Sequence, residues 1–337
     1  HGPGLWRLYL AEAREQRLAA STKETVKRIW LIYVFYTVVC ALTLKFVGDM
    51  PLFDAVNHTF TVLSTGGFST RTRNIEAFGD PKVELVLLFF MLVGGINFFA
   101  HYLALARGPK ELLGYFETKA LLAVWVAATA IVAYDLVAHG YSVYSALRYS
   151  SFQTASIMTT TGYTSTDINE LPTMSKTILL LLMFVGGSTG STAGAIKLAR
   201  VVVTFHIGLN AVRRMIYPHG VIIPLRVGGR SLATVDVVKV SAFIFFYMLM
   251  FLTSTMLFVY MGYQPFEAAS LAATAQGNVG PAFADPAQLS AYGKALFIFL
   301  MWAGRLELFP ALILLAPDVW RGLARSHVRE RRRGLAT

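Results

Sequence analysis

The sequence predicts an all-α integral membrane protein assembled from repeated helical units. Of its 337 residues, 55% are apolar and only 15% are charged, and the mean hydropathy is +0.55. Soluble domains typically carry about 25% charged residues, so this composition indicates a chain that has lipid as its solvent. Six long apolar stretches and three similar glycine-containing loops point to the same class. A disordered chain, a disulfide scaffold and an ordinary soluble enzyme are disfavoured on these grounds.

The six apolar stretches are each long enough for a membrane helix, which needs about 20 mostly apolar residues. They lie at residues 29–46, 83–106, 120–138, 178–208, 237–262 and 295–316, and small polar residues interrupt the fourth. A shorter amphiphilic stretch lies between the members of each successive pair, at residues 53–63, 144–158 and 266–275. These stretches are too short to span a bilayer, which favours re-entrant helices that enter the membrane and turn back.

The formal net charge of +11 is distributed unevenly along the chain. Residues 1–30, 105–120, 195–240 and 316–337 hold 22 of the 30 Lys and Arg residues. Basic loops stay on the cytoplasmic side, so we expect a multi-pass membrane protein with both termini of this chain in the cytoplasm. The basic surplus then reflects orientation and contact with membrane lipid, and no nucleic acid is expected as a partner.

The chain divides into three units of one plan when it is aligned on the short stretches. Each unit consists of a membrane helix, a pore helix, a filter loop and a second membrane helix, and the units occupy residues 23–107, 108–208 and 236–316. Residues 1–22, 209–235 and 317–337 are then a cytoplasmic segment, a basic cytoplasmic loop and a basic cytoplasmic tail.

Each short stretch is followed by a loop in which a glycine precedes a ring-bearing residue, at Gly67, Gly162 and Gly280. Backbone carbonyls aimed into a narrow pore can replace the hydration shell of a monovalent cation, and glycine permits the dihedral angles that keep carbonyls pointing inward. A Gly-rich turn is the alternative for one such loop, but recurrence in three loops favours a filter around a central ion pore. Phe68 and Tyr163 are expected to pack behind this filter. The candidate cation ligands are Thr65, Gly66, Gly67, Thr160, Thr161, Gly162, Asn278, Val279 and Gly280.

Four strings, at residues 61–70, 159–163, 186–197 and 304–307, resemble motifs of the TrkH/KtrB/HKT superfamily of potassium transporters, and the TrkH branch most. The resemblance implies four such units around one pore, with a filter built from one loop of each. It also implies a homodimer and a cytoplasmic nucleotide-binding regulatory subunit of the TrkA/KtrA type. Potassium is then the transported ion, the membrane is the plasma membrane of a bacterium or an archaeon, and no covalent cofactor is expected. The three units here match the second to fourth of the family, so we expect the first to lie upstream in a longer protein.

The interruption in the fourth apolar stretch is rich in small residues. It could be a helix-packing face, which is common in membranes. A phosphate-binding loop is disfavoured because Lys197 does not lie in a Gly-Lys-Ser/Thr string. The resemblance implies a third role, an intramembrane gating loop beneath the filter. The candidate gate residues of this loop are Gly186, Gly187, Ser188, Thr189, Gly190, Ser191, Thr192 and Gly194.

Arg305 is the candidate gate residue outside that loop. An arginine within an apolar helix costs about 2.5–3.5 kcal/mol on insertion scales, so its side chain is expected to face a watery or polar interior. Pairing with Glu307 is the structural alternative, although a spacing of two places the residues on different helix faces. The resemblance implies a position below the filter, where the positive charge raises the barrier to a passing cation.

Potassium uptake through a carbonyl-lined filter, gated by the small-residue segment and Arg305, is the function that the sequence favours. A Na⁺-permeable or Na⁺-coupled K⁺ transporter of the same superfamily is the alternative. A non-transporting membrane enzyme or scaffold subunit is a remote one. The sequence offers no Ser-His-Asp set and no pair of interior carboxylates, so no enzymatic activity is expected.

Overall fold

The computed structural model describes residues 22–217 and 224–315. The predicted cytoplasmic tail and most of the predicted N-terminal segment lie outside the described residues, as do residues 218–223 of the basic loop. The first part of the chain forms α1 (Thr22–Phe46), α2 (Leu52–Leu63), a short 3₁₀ helix (Asn74–Phe78), α3 (Pro81–Gly95) and α4 (Phe98–Arg107). The second part forms α5 (Lys110–Gly114), α6 (Phe116–Ala138), α7 (Val143–Met158), α8 (Thr173–Val185) and α9 (Leu198–Ile216). A two-stranded hairpin, β1 (Arg226–Val227) with β2 (Arg230–Ser231), precedes α10 (Thr234–Tyr260), α11 (Pro265–Gly277), a second 3₁₀ helix (Pro286–Gln288), α12 (Ala291–Arg305) and α13 (Leu308–Leu315).

Within the described residues, three continuous helices are long and apolar enough to cross a membrane: Val26–Phe46, Phe116–Ala138 and Thr234–Tyr260. Two more predicted spans are helices that bend sharply, by 100° between α3 and α4 and by 111° between α12 and α13. The prediction of an uninterrupted helix at these two places is wrong. Asn97 starts a new helix after the first bend, because its side chain accepts a hydrogen bond from the Phe99 amide at 2.6 Å. Glu307 adopts a left-handed φ of 56° at the second bend.

The interruption predicted in the fourth apolar stretch is present. Helix α8 ends at Gly186, whose φ is 71°, and α9 begins after Lys197, whose φ is 74°. Both angles lie in the left-handed region, which stops a right-handed helix. Between them the chain crosses from one helix to the other as an irregular loop.

Each of the three helices that precede a glycine-containing loop packs between two neighbours: α2 contacts α1 and α3, α7 contacts α6 and α8, and α11 contacts α10 and α12. Fully buried apolar side chains fill these contacts, for example Leu87 beside α2 and Leu271 on α11. Helix α7 also packs on α3, and α11 packs on α8, so the three groups form one connected bundle. Arg148 on α7 forms two hydrogen bonds of 2.7 Å to the buried carboxylate of Glu84 on α3. This ion pair adds to the contact between α7 and α3.

Candidate functional site

Three loops that follow the short helices line one cavity of about 1140 Å³. We call them loop A (residues 64–68), loop B (residues 159–163) and loop C (residues 277–281). All nine predicted cation ligands are among the residues that line this cavity. Three of the predicted gate residues, Thr192, Gly194 and Arg305, line it as well. The other six do not line the cavity.

The loops touch one another through their backbones in the order A, B, C. A Cβ atom on Gly67 would lie 1.9 Å from the carbonyl oxygen of Thr161, and one on Gly162 would lie 2.2 Å from that of Val279. Real Cβ contacts are never so short, so glycine is required at both positions. Loop B, with a neighbour on each side, is buried throughout, whereas Gly66 in loop A and Gly280 in loop C are exposed.

The three loops share a backbone conformation. The residue two positions before the repeated glycine of each loop has a left-handed φ, namely 50° at Thr65, 55° at Thr160 and 54° at Asn278. The glycines themselves follow at 64°, 84° and 112°. The glycine pattern predicted the left-handed φ of the three glycines. Sequence reasoning missed the left-handed residues two positions earlier, because threonine rarely adopts this region. Only Asn278 carried a signal, since asparagine is enriched there.

The amides of the loops are bonded to the ends of the short helices. The N–H groups of Gly66, Thr161 and Val279 donate to carbonyl oxygens five residues earlier, at 2.7, 2.9 and 3.0 Å. The accepting residues all carry a hydroxyl group: Thr61, Ser156 and Thr274. Sequence reasoning missed these three residues, although a hydroxyl four positions before each left-handed residue was visible in the repeat.

The carbonyl oxygens of the nine predicted ligands are left free. Within the described parts of the chain, none of the nine accepts a hydrogen bond. A buried carbonyl without a partner is costly unless water or an ion satisfies it. The three loops therefore offer free carbonyl oxygens, while their backbone N–H groups are already hydrogen-bonded. Such a set of oxygens is suited to holding a dehydrated monovalent cation.

The two ring residues of loops A and B behave differently. Tyr163 is fully buried, and its hydroxyl lies 2.5 Å from Oγ1 of Thr61 and 3.3 Å from the carbonyl oxygen of His58. This side chain braces loop B against α2, as predicted. Phe68 is 77% exposed, so the prediction that it packs behind the filter is wrong for the described structure. The glycine pattern aligns the two residues but says nothing about which neighbour each one meets.

The segment after loop A is held to α2 by a carboxylate. Thr70 donates to Oδ1 of Asp54 at 2.6 Å and Arg71 donates to Oδ2 at 2.9 Å. The hydrogen bond from Thr70 lowers the pKa of Asp54 below its ordinary value, and the hydrogen bond and charge of Arg71 lower it by a smaller amount. Nε2 of His58 adds a contact of 2.9 Å to Oγ of Ser69. These bonds fix the position from which loop A leaves the cavity.

The small-residue loop (residues 186–194) lies directly against the cavity loops. Oγ1 of Thr192 donates to the carbonyl oxygen of Leu63 at 2.9 Å, and the Gly194 amide donates to Oγ1 of Thr160 at 2.7 Å. Just after the loop, the Ala195 amide donates to the carbonyl oxygen of Gly277 at 3.1 Å. The loop and its end thus reach the ends of α2 and α11 and the side chain of a loop B residue. A helix-packing face would not make these backbone contacts, so that alternative is disfavoured.

Arg305 is the last residue of α12 and lies at the cavity with an exposed side chain. In the part of the chain that the structure describes, it forms no hydrogen bond and no ion pair. The alternative pairing with Glu307 is wrong, because Glu307 binds Arg200 and lies 3.7 Å from Nζ of Lys197. The left-handed φ of Glu307 turns it away from α12 toward α9.

Comparison with known proteins identifies the family of this site. Residues 3–321 match the TrkH family, described as a cation transport protein. The chain belongs to the TrkH family. It is 32% identical over 332 residues to the Trk system potassium uptake protein TrkH of Salmonella typhimurium, covering 95% of this chain and 68% of that protein. It is 28% identical over 330 residues, with the same coverage of both chains, to the Trk system potassium uptake protein TrkG of Escherichia coli.

The fold agrees with that of a solved TrkH family protein. The crystal structure of the potassium transporter TrkH from Vibrio parahaemolyticus superposes with a TM-score of 0.84 at 30% identity, covering 94% of this chain and 70% of that one. The family resemblance and the helical membrane fold predicted from the sequence are therefore confirmed. TrkH family members are transporters, so the expectation that the chain is not an enzyme is confirmed as well.

Proposed function

We propose that this TrkH family member takes up K⁺ across the plasma membrane through loops A, B and C. One observation carries the proposal: the nine residues line a single cavity, their backbone carbonyls accept no hydrogen bond within the described parts of the chain, and the amides of the loops are bonded to the ends of the short helices. Such oxygens can replace the hydration shell of a monovalent cation as it enters. The names of the relatives, Trk system potassium uptake proteins, favour K⁺ as that cation.

The short helices support the same role electrostatically. Helices α2, α7 and α11 each end where a cavity loop begins. The C-terminus of a helix carries a partial negative charge, so three such ends stabilise a cation between the loops. The cage thus combines oxygen ligands with a favourable field, and it needs no acidic side chain among its ligands.

A fourth loop closes the ring beside loops A and C in this proposal. Its support is the contrast in burial: loop B is buried between two neighbours, whereas Gly66 in loop A and Gly280 in loop C are exposed. In this proposal the fourth loop belongs to a unit upstream of residue 23, as the family resemblance implies. A homodimer, and a cytoplasmic nucleotide-binding subunit of the TrkA/KtrA type docked on the basic loop, belong to the same proposal.

The small-residue loop and Arg305 form the gate. Thr192 and Gly194 line the cavity together with Arg305, so this part of the wall combines loop backbone with a positive charge. A permeating cation is repelled by that charge, which raises the barrier to flux. Replacement of Arg305 by Ala is expected to increase resting uptake, and Arg305→Lys, which keeps the charge, is expected to stay close to the wild type.

Uptake of ⁸⁶Rb⁺ into liposomes containing the complete protein tests these proposals. We expect K⁺ to compete with ⁸⁶Rb⁺ much more strongly than Na⁺ does. Equal competition by Na⁺ would support the Na⁺-permeable alternative, and a lack of uptake would reject the transport function. If Arg305→Ala changed neither resting nor regulated uptake, the assignment of Arg305 to the gate would be abandoned.

A further inference from the structure

The hairpin in the basic loop is docked on the helical bundle. Strands β1 and β2 pair antiparallel, with Arg226 opposite Ser231 and Val227 opposite Arg230. The turn residues Gly228 and Gly229 have φ angles of 56° and 79°, as a two-residue hairpin turn with two left-handed residues requires. Leu225 and Val227 are buried, and β1 packs on α9. The hairpin is therefore a packed element of the structure.

The tip of this hairpin rests on the first residue of α6. A Cβ atom on Gly228 would lie 2.6 Å from Cδ1 of the Phe116 ring, so the glycine backbone touches the ring directly. A Cβ atom on the neighbouring Gly229 would meet nothing within 4 Å. Only the first of the two turn glycines is thus required by a contact with α6.

The next residue of α6 holds the small-residue loop. Oε2 of Glu117 accepts a hydrogen bond of 2.6 Å from the backbone amide of Thr189, and the Glu117 side chain is buried. A carboxylate near a helix N-terminus is favourably placed, and a hydrogen bond to a charged group is stronger than one between neutral groups. Thr189 lies in the middle of the small-residue loop, three residues before Thr192 in the cavity wall.

We propose that the contact of the hairpin tip with Phe116 controls the small-residue loop, and that Glu117 is the positioning residue through which it acts. The inference rests on the proposed function of this loop as a gate. A displacement of the hairpin tip moves Phe116, and the adjacent Glu117 then loses its alignment with the Thr189 amide. The loop is freed from one of its anchors, and the barrier to the cation falls.

A matched pair of alanine variants isolates the contact. Gly228→Ala and Gly229→Ala place a side chain at a left-handed position of the same turn, so both carry a similar backbone strain. Only Gly228→Ala collides with Phe116. In liposomes containing the complete protein, we expect Gly228→Ala to raise resting ⁸⁶Rb⁺ uptake about tenfold, the scale of a lost charge-assisted hydrogen bond, while Gly229→Ala stays within about twofold of the wild type.

Variants of α6 test the second half of the path. Glu117→Ala removes the acceptor for the Thr189 amide and is expected to raise resting uptake about tenfold, whereas Glu117→Gln keeps an acceptor oxygen and restores most of the restraint. Because both changes act on one hydrogen bond, the double variant with Gly228→Ala is expected to match Glu117→Ala alone. Phe116→Ala removes the ring that the hairpin tip contacts and puts no strain on the hairpin. It is expected to raise resting uptake as Gly228→Ala does, so it replaces that variant if Gly228→Ala does not fold.

The outcomes separate this inference from the function on which it rests. If the wild type takes up no ⁸⁶Rb⁺, the proposed transport function fails. If the wild type transports but Gly228→Ala and Gly229→Ala behave alike, the hairpin is not the control contact. Additive effects of Gly228→Ala and Glu117→Ala would also overturn the inference, because they would mean that the two residues act on the loop independently.

Discussion

The hydroxyl group of Thr192 bonds to the carbonyl oxygen of Leu63, a residue 129 positions earlier in the chain, at a distance of 2.9 Å. It also reaches the carbonyl oxygen of Gly94 at 3.1 Å. Leu63 is the last residue of α2, and Gly94 lies at the end of α3. One side chain of the small-residue loop thus links two helix ends just beneath loop A.

Replacement of Thr192 by Val is expected to raise resting ⁸⁶Rb⁺ uptake several-fold. The volume is nearly unchanged, but the carbonyl oxygen of Leu63 loses its partner, at a cost of about 1–3 kcal/mol to the closed arrangement, whereas that of Gly94 keeps the bond from the backbone amide of residue 192. Thr192→Ser keeps the hydroxyl group and is expected to behave like the wild type. Equal uptake by the Val and Ser variants would show that this link does not restrain the loop.

Replacement of Gly67 by Ala is expected to abolish ⁸⁶Rb⁺ uptake. The added Cβ would lie 1.9 Å from the carbonyl oxygen of Thr161, so loops A and B must separate and their oxygens leave the cavity. Gly79→Ala is the matched control, because Gly79 has nearly the same φ, 61° against 64°, and open space around its Cβ position. Retained uptake in Gly67→Ala would contradict a role of this contact in the filter.

The pair of Arg148 and Glu84 is expected to be important for stability. Glu84 is 4% exposed and Arg148 is 21% exposed, so removal of one partner leaves a charge in a poorly solvated site. Arg148→Met is expected to lower the free energy of unfolding by about 3–5 kcal/mol, as measured by thermal unfolding in detergent. Adding Glu84→Leu to this variant is expected to restore part of the loss.

The exposed pair of Arg73 and Glu76 provides the comparison. Arg73 is 74% exposed, and ion pairs on a surface contribute about 0–1 kcal/mol. Arg73→Met is therefore expected to leave the unfolding temperature almost unchanged. Similar losses for Arg148→Met and Arg73→Met would mean that burial does not strengthen the first pair.

Acid sensitivity of the segment after loop A is expected to depend on Thr70. The folded-state pKa of Asp54 lies below its unfolded value of about 3.9, so the stabilisation is present above that value and is lost as the pH falls through the folded pKa. Thr70→Val removes the largest cause of the lowered pKa. The pH at which acid loss of uptake is half complete is expected to rise, and an unchanged midpoint would contradict the assignment.

Hydropathy and the loop pattern predicted much of this structure. The three continuous spans, the three short helices and the interruption at Gly186 follow from local composition, which the sequence displays directly. The bends at Asn97 and Glu307 could not be predicted in this way. Apolar residues continue on both sides of each bend, and hydropathy does not report the direction of a helix axis.

The contacts that build the site were less predictable than its glycines. The left-handed angles of Thr65 and Thr160 oppose the usual preference of threonine, and the tertiary structure imposes them. The partner of Glu307 is Arg200, 107 residues away, whereas the alternative considered from the sequence was the nearby Arg305. Nothing in the spacing of residues along the chain reports a contact over that separation.

The amides tied to Thr61, Ser156 and Thr274 have a consequence for the speed of transport. Their hydrogen bonds form when the chain folds, so loops A, B and C are preorganised. The entropy lost on ordering the loops then belongs to folding and does not weaken the binding of an ion. In the proposed filter, loops held by these bonds resist collapse around a smaller ion and need no rebuilding after each ion leaves. The proposal therefore implies that successive ions pass with little rearrangement of the protein.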